Sequence, residues 1–253
     1  MASIVDAFNE ALSENFAYAK IVLYAIPVYF VVNFFMVGKM GLFYFWGAIV
    51  GAVILGLLTR GINNVRMNKQ DILTLNPIKI LLDIFKTVAV VVPHLLILGA
   101  VGKYLVNIKI PIELPHVQLI YSIIVWAILF SIVLTSYLSF AKYLKVWQGF
   151  NYIVILESCI DVFVSLLFFI PQLLFANIVL IGPIAYLFFY FQIPYTHWGF
   201  VAYCSAVFVI NISIMANYLA QAAYEHIKGN NEEYDDNMNV NIIDDVAERC
   251  NGK

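Results

Sequence analysis

Apolar residues fill six stretches of the chain, and each stretch is long enough to cross a membrane as a helix. A hydrocarbon core of about 30 Å needs roughly 20 residues at ~1.5 Å per residue. The stretches cover about 21–37, 41–58, 87–101, 119–138, 162–180 and 199–219. They predict an all-α integral membrane bundle of about six transmembrane helices.

The first, third and fifth stretches each contain a proline, and the residues around these prolines repeat in one register. The prolines are Pro27, Pro93 and Pro171. Aligned on them without gaps, the copies share three polar positions, each in two copies of three: Asn33 with Asn177, Asp83 with Asp161, and Lys20 with Lys86. We therefore predict three pseudo-repeated hairpins, over about 6–66, 74–145 and 149–226.

Three further segments have patterns of their own. Residues 6–20 place apolar side chains at helical spacing, which predicts an amphipathic helix that lies in the membrane interface and runs into the first span. Residues 59–74 are predicted to form a polar loop. The segment 182–194 is rich in Tyr and Phe, which is typical of an aromatic belt or of a short re-entrant segment.

The C-terminal residues differ from the rest of the chain. A polytopic transmembrane domain is predicted for 1–226, whereas 227–253 is rich in Asn and acids and has too few apolar residues to bury a core. Half of the sixteen acidic residues fall from Glu225 onward. We predict that 227–253 is a disordered acidic cytoplasmic tail that offers a site for a protein partner.

Composition supports the membrane assignment and limits the partners. The chain is 63% hydrophobic and 12% charged, against roughly 45–50% and about 25% in soluble domains. Its mean hydropathy is +0.88. The basic residues are few and follow the loops, so the expected partners are membrane lipids, and nucleic-acid binding is not predicted.

The distribution of Lys and Arg predicts the orientation. Nine lie near the span ends on one side (Lys20, Arg60, Arg66, Lys69, Lys79, Lys86, Lys142, Lys145 and Lys228), and three lie on the other (Lys39, Lys103 and Lys109). Cytoplasmic loops are the richer in these residues. We predict an inner or plasma membrane location with both termini in the cytoplasm.

Signatures of catalysis or of bound metal are missing from the sequence. The three cysteines are widely spaced, and Glu113, His116 and His197 lack the paired spacing of a metal site. No phosphate-binding loop or nucleophile motif is present. The sequence therefore predicts no enzyme activity, no metal and no cofactor.

Polar residues inside or beside the spans are the candidate site, because polar groups in hydrocarbon are costly. A candidate polar path comprises Asp83, Asp161, Lys20, Lys86, Asn33 and Asn177, the first four as a charged ring at the cytoplasmic mouth of the bundle. The alternative is structural: Asp83 pairs with Lys86 on its own helix, and the amides bond between helices. For His94 we favour a buried neutral imidazole bonded to a carbonyl.

Small residues and prolines predict how the helices pack. Gly47, Gly51 and Gly56 on the second span would let a neighbouring helix approach closely. The prolines at 27, 93 and 171 each remove one backbone hydrogen bond and are predicted to kink their helices.

The segment Leu75-Asn-Pro-Ile-Lys-Ile-Leu-Leu-Asp-Ile-Phe-Lys86, which enters a helix broken by Pro93, resembles uncharacterised prokaryotic membrane families built from proline-broken hairpins. It is similar in style to the membrane domain attached to some glycerophosphodiester phosphodiesterases. The resemblance implies a polytopic helical fold over 6–226 and no catalytic residues. The soluble enzyme domain of those proteins is not part of this pattern, so the hydrolase activity does not transfer.

Two functions are compatible with these patterns. The first is a membrane scaffold or accessory subunit that acts through lipid-facing helices, the Gly47 and Gly51 surface and the acidic tail. The second is a small-solute or lipid transporter or channel with a polar path between the hairpins. The low number of charges within the spans favours the first, and the repetition of polar positions favours the second.

Overall fold

The computed structural model describes residues 4–14, 16–67, 69, 72–108 and 116–227, and within these ranges the chain forms helices and no strand. A 3-10 helix covers Val146–Phe150. The α-helices are α1 Ile4–Ser13, α2 Ala17–Met36, α3 Met40–Arg66, α4 Pro77–Val106, α5 Val117–Tyr143, α6 Tyr152–Tyr190 and α7 Trp198–His226.

The six helices α2 to α7 are long and apolar enough to cross a membrane. The prediction of a six-span helical bundle is therefore confirmed, and the protein is a multi-pass membrane protein. Each helix contains its predicted span, except that residue 37, the last of the first predicted span, lies outside α2. Most of the helices continue well beyond their predicted spans. The largest consequence is at α3, which reaches Arg66 through half of the predicted polar loop because Leu58 and Ile62 stay buried in the core on one helical face.

The six long helices pack in a threefold pattern. The return helices α3, α5 and α7 contact one another at the centre. Each outer helix lies between two of them: α2 between α3 and α7, α4 between α3 and α5, and α6 between α5 and α7. This is the arrangement expected for three hairpins around one axis. A common origin of the three stays a prediction.

A short segment precedes each outer helix and lies on the return helix of another hairpin. Helix α1 packs mainly on α7, and the 3-10 helix packs mainly on α5. Hydroxyl groups of Ser136 and Ser139 on α5 donate to the carbonyls of Gly149 and Gln148, at 2.6 and 3.0 Å. The segment before α4 approaches α3 closely, since a Cβ added at Gly61 would lie 3.2 Å from the carbonyl oxygen of Ile72. The segments close the same end of the bundle.

The N-terminal helix differs from its prediction. It does not run into α2, because Phe16 adopts a left-handed conformation with φ 58° and breaks the helix. The face with Ala7 and Ala11 packs on Phe169 of α6 and on Tyr218 of α7. Two alanines one turn apart allow this close approach, so part of the apolar face binds the bundle instead of lipid.

Helix α6 is the longest element, and it corrects the prediction for 182–194. The helix continues through Pro183 to Tyr190 and ends before Gln192, where φ is 55°. A re-entrant segment is therefore wrong for this region, whereas the aromatic belt stays a prediction. Near Pro183, the Tyr203 hydroxyl of α7 donates to the Leu180 carbonyl at 2.7 Å, which supports the helix where backbone bonding is weakened.

The prolines at 27, 93 and 171 lie inside α2, α4 and α6, and each helix continues on both sides of its proline. The length of α6, 39 residues, corresponds to roughly 58 Å at ~1.5 Å per residue. A helix this long must tilt, bend or project beyond a hydrocarbon core of about 30 Å. The acidic tail lies outside the described residues apart from Ile227, so its disorder and its partner stay predictions.

Candidate functional site

A buried ion pair joins α3 to α4. Asp83 is fully buried, and its carboxylate oxygens accept from Arg60 Nε at 2.5 Å and Nη2 at 2.9 Å. The two parallel contacts match the fork of the guanidinium group, the strongest form of this interaction. Asp83 thus pairs with α3 and not with Lys86 on its own helix, because α3 extends far enough to bring Arg60 alongside it.

Hydroxyl groups continue this polar region toward α5. Thr59 Oγ1 lies 3.0 Å from both Thr87 Oγ1 and the Tyr137 hydroxyl. Thr87 Oγ1 donates to the Asp83 carbonyl at 2.7 Å. All three side chains are buried. Together with Arg60 and Asp83 they form what we call the α3–α4–α5 polar cluster, which connects three helices of two hairpins.

His94 occupies a second buried polar position, between α4, α5 and the 3-10 helix. Its Nδ1 lies 2.7 Å from the Val90 carbonyl, and its Nε2 lies 3.2 Å from the Ser136 hydroxyl. The ring stacks on Phe150 with centroids 4.9 Å apart. The favoured prediction of an imidazole bonded to a carbonyl is confirmed in its geometry, and the contacts are those of a residue that joins three elements.

Lys20 lies in a different buried ion pair, with Glu14, between α1 and α2. The Glu14 carboxylate also accepts from the backbone N–H of Leu73, 3.2 Å from each oxygen. The Tyr24 hydroxyl donates to the Thr74 carbonyl at 2.5 Å. These contacts join the start of the first hairpin to the start of the second.

The two predicted amides differ in their surroundings. Asn177 on α6 and Asn211 on α7 bond reciprocally, with Nδ2 to Oδ1 distances of 2.7 and 3.3 Å. This confirms helix-to-helix bonding for Asn177. Asn33 is half-buried on α2 and makes no comparable amide pair within the described part of the chain.

The six predicted path residues therefore lie in separate places. Asp83 and Lys20 belong to two different ion pairs, and Asn177 belongs to an amide pair. Asp161 is exposed on α6, and Lys86 is half-buried on α4. The described contacts do not gather the four charged residues into one ring. Whether any of the six lines a path stays a prediction.

The predicted packing glycines of α3 split into two groups. A Cβ added at Gly56 would lie 2.8 Å from Ile84, so α4 approaches closely there. Gly51 has no neighbouring heavy atom within 4 Å of such a Cβ, and Gly47 has Val31 at 3.8 Å. Both line an apolar cleft of about 490 Å³ between α2, α3 and α7. The cleft exists because α2 packs on the bundle through its first half, where Ile21 and Ala25 are buried, and separates from it in its second half.

The end of the bundle where α3, α5 and α7 finish, which we call the basic end, has a recess of a different kind. It has a volume of about 550 Å³ and lies between α1, α3 and α7. Its polar lining comprises Glu10, Arg66, Gln221, Tyr224 and Glu225. Unlike the apolar cleft, the recess presents charges of both signs.

The chain matches no protein-family model, no curated protein and no solved structure. The resemblance to proline-broken hairpin families and to the phosphodiesterase membrane domain therefore stays a prediction. The function has to be argued from the contacts of this chain alone.

Several of these contacts involve residues that the sequence did not single out as a site. Arg60 lies in the segment predicted to be a polar loop and Glu14 in the segment predicted to be an amphipathic interfacial helix, yet both form buried or half-buried ion pairs. Lys142 is among the basic residues that the sequence places near the span ends, but it is 1% exposed and its Nζ donates to the Ile227 carbonyl at 2.6 Å. The hydroxyl residues Ser131, Thr135 and Ser139, which recur at one helical turn on α5, mark a polar face of that helix but not these ion pairs. Ser131 and Ser139 donate to the carbonyls of Cys159 and Gln148.

Proposed function

We propose that this multi-pass membrane protein is a membrane scaffold or accessory subunit, which acts by binding other membrane components at its outer surface. The observation that supports this most directly is the apolar cleft between α2, α3 and α7. Its lining includes Gly47 and Gly51. Small residues on a spanning helix permit close contact with an apolar chain or helix.

The interior supports the same proposal. Among the described residues, Ser213 is the single buried side chain whose polar atom has no hydrogen-bond partner. Buried polar groups that bond to protein need no water, whereas groups that line an aqueous path are hydrated in place. The polar residues between the helices therefore serve as ties within a packed centre.

Accessibility to a water-soluble maleimide tests this proposal. Single cysteines are placed at positions 33, 161 and 177 in a chain without native cysteines, and the reagent is added to sealed vesicles from either side. We expect labelling at 161 from one side only and protection at 33 and 177. A cysteine at 39, exposed in the turn between α2 and α3, is the control for the opposite side. Labelling at both 33 and 177 would contradict a packed centre and favour a solute path.

A lipid transporter is the second candidate, and the same cleft favours it over a small-solute channel. A cleft of about 490 Å³ with an apolar lining accepts an acyl chain without a water-filled route. Transport of this kind would be measured as exchange of labelled lipid between the leaflets of proteoliposomes. A scaffold would leave that rate at the level of protein-free vesicles.

A further inference from the structure

Helix α6 carries an exposed amide at the middle of its length. Gln172 is exposed, whereas Phe169, on the preceding turn, is buried in the bundle. The Gln172 side chain makes no hydrogen bond to any residue in the described part of the chain. Its amide therefore offers a donor group and an acceptor group to whatever lies outside the bundle.

The position of Gln172 along α6 puts this amide inside the hydrocarbon core. Helix α6 covers Tyr152–Tyr190 and is roughly 58 Å long at ~1.5 Å per residue, whereas the hydrocarbon is about 30 Å thick. Because Gln172 lies close to the midpoint of the helix, any stretch of α6 that crosses the whole core includes it. Hydrocarbon supplies no hydrogen-bond partner, so an amide at this depth favours contact with a polar group of another spanning helix.

The amide belongs to a row of outward residues, which we call the α6 seam. The seam comprises Phe168, Gln172, Phe175, Val179, Gly182 and Tyr186. Its intervals alternate between four and three positions, which is the heptad spacing by which two helices pack side by side. Its four large apolar side chains are each more than half exposed, and a Cβ added at Gly182 would meet no neighbouring atom within 4 Å. The seam is therefore accessible to a second helix.

A groove alongside the α6 seam gives the second helix space for its side chains. The groove has a volume of about 510 Å³ and lies between α1, α6 and α7. Gln172, Phe175 and Val179 of the seam line it, together with Val5 and Phe8 of α1. Side chains of a facing helix enter such spaces as knobs enter holes. Because the lining is apolar apart from Gln172, the occupant must be apolar and must bring one hydrogen-bonding group to the level of Gln172.

We propose that the α6 seam joins two copies of this chain. Copies that enter the membrane in the same orientation are related by a two-fold axis along the membrane normal, so their α6 helices are parallel and Gln172 lies opposite Gln172. The seam contains no residue of the apolar cleft between α2, α3 and α7. The contact therefore stands whether the bundle is a scaffold or a transporter.

The chemistry of the amide favours a second copy as the partner. A carboxamide is complementary to itself, because each of two amides can donate an N–H to the oxygen of the other. Asn177 and Asn211 already pair in this way between α6 and α7, at 2.7 and 3.3 Å. A single polar residue in an apolar seam also fixes the register of the two helices. One residue thus supplies both halves of the polar contact at the two-fold axis.

Energy transfer between labelled copies in liposomes tests the contact. The full chain without native cysteines carries one dye on Lys39→Cys, in the exposed turn between α2 and α3. Donor and acceptor copies are mixed over a range of protein-to-lipid ratios, and we expect transfer above the level of random proximity. Gln172→Leu should move the midpoint to a ratio about tenfold higher, the effect of losing two interhelical hydrogen bonds of modest strength. Gln172→Asn, which keeps an amide, should move it less.

Asn177→Leu is the matched control, because it removes an amide of the same helix that bonds within the bundle. It should lower the stability to denaturant and leave the association midpoint unchanged, whereas Gln172→Leu should move the midpoint without lowering stability. The proposal is overturned if the parent shows no transfer beyond random proximity at any ratio. It is also overturned if the two substitutions move the midpoint equally.

Disulfide formation between copies identifies the face that is in contact. Phe175 and Leu174 are adjacent and similarly exposed, at 67% and 61%, but only Phe175 lies in the α6 seam. In the chain without native cysteines, Phe175→Cys should form a cross-linked dimer under oxidation, and Leu174→Cys should not. Equal cross-linking of the two variants would mean that the copies meet through another face, and the proposal would fail.

Discussion

The ion pair between Arg60 and Asp83 gives the sharpest prediction for stability. In Asp83→Asn the guanidinium keeps a neighbour of the same shape but loses the opposite charge. Breaking a buried pair by removing one partner costs about 3–5 kcal/mol, because a buried charge is left uncompensated. The Asp83 side chain is 0% exposed and that of Arg60 is 17% exposed, so water can relieve part of the penalty. We expect a loss of about 3 kcal/mol in the free energy of unfolding.

The measurement is a denaturant titration in mixed micelles, followed by tryptophan fluorescence. It is made on Asp83→Asn and on the four proteins of a double-mutant cycle: the parent, Asp83→Leu, Arg60→Leu and the double variant. The double variant should unfold within about 1 kcal/mol of the parent, since replacing both charges by apolar groups of similar volume is often neutral. If each single substitution costs about 3 kcal/mol, the cycle should therefore yield a coupling energy of about 5–6 kcal/mol between the two positions.

Asp161→Asn is the matched control, because Asp161 holds the corresponding position before Pro171 and is exposed. Its effect should stay within about 0.5 kcal/mol, as for ordinary surface substitutions. Equal effects of Asp83→Asn and Asp161→Asn would refute the argument, and so would a coupling energy near zero.

Two further predictions concern the glycines of α3. Gly56→Ala should destabilise the bundle by about 1–3 kcal/mol in the same titration, because the added Cβ would lie 2.9 Å from the Ile80 backbone oxygen. Gly51→Ala should not destabilise the bundle, because the space beside Gly51 is open. An equal loss of stability in the two variants would contradict the described packing. Gly51→Phe fills the apolar cleft and should abolish any lipid exchange in proteoliposomes. Gly99→Phe, also in open space, should leave the exchange rate unchanged. Equal effects of the two substitutions would contradict a role of the cleft in lipid exchange.

Sequence reasoning predicted the spans well because their signal is local. Six apolar runs of sufficient length specify six helices, and the Asn76-Pro77 pair marks the start of α4, where the Asn76 side chain accepts from the backbone N–H of Lys79 at 3.1 Å. The ends were less accurate. At α3 the polar residues that suggested a loop belong to a helix whose opposite face stays buried. Composition therefore predicts a loop in this segment, whereas the helical spacing of the buried apolar residues predicts a helix.

The partners of the polar residues could not be predicted, because they depend on which helices meet. Asp83 had an oppositely charged neighbour on its own helix, Lys86, and local spacing favoured that pair. Contact between α3 and α4 brings Arg60 to it instead. Asn177 and Asn211 are 34 positions apart in sequence, and no local pattern links them. Gly47, Gly51 and Gly56 share one sequence pattern, yet tertiary packing holds only Gly56 tightly against a neighbouring helix. Gly47 is in ordinary contact distance of Val31, and Gly51 faces open space.

The contact between α2 and α7 has a consequence for the order in which the bundle assembles. Helices enter the membrane in sequence as the chain is synthesised, so α2 is inserted long before one of its two central neighbours exists. Until α7 arrives, the earlier helices can form only an open arc, with one flank of α2 and one flank of α6 facing lipid. The last described helix, α7, therefore covers the exposed flank of α2 and that of α6 in a single step. Membrane insertion and final assembly should be separable events, and a chain halted before α7 would present unfinished surfaces to quality control.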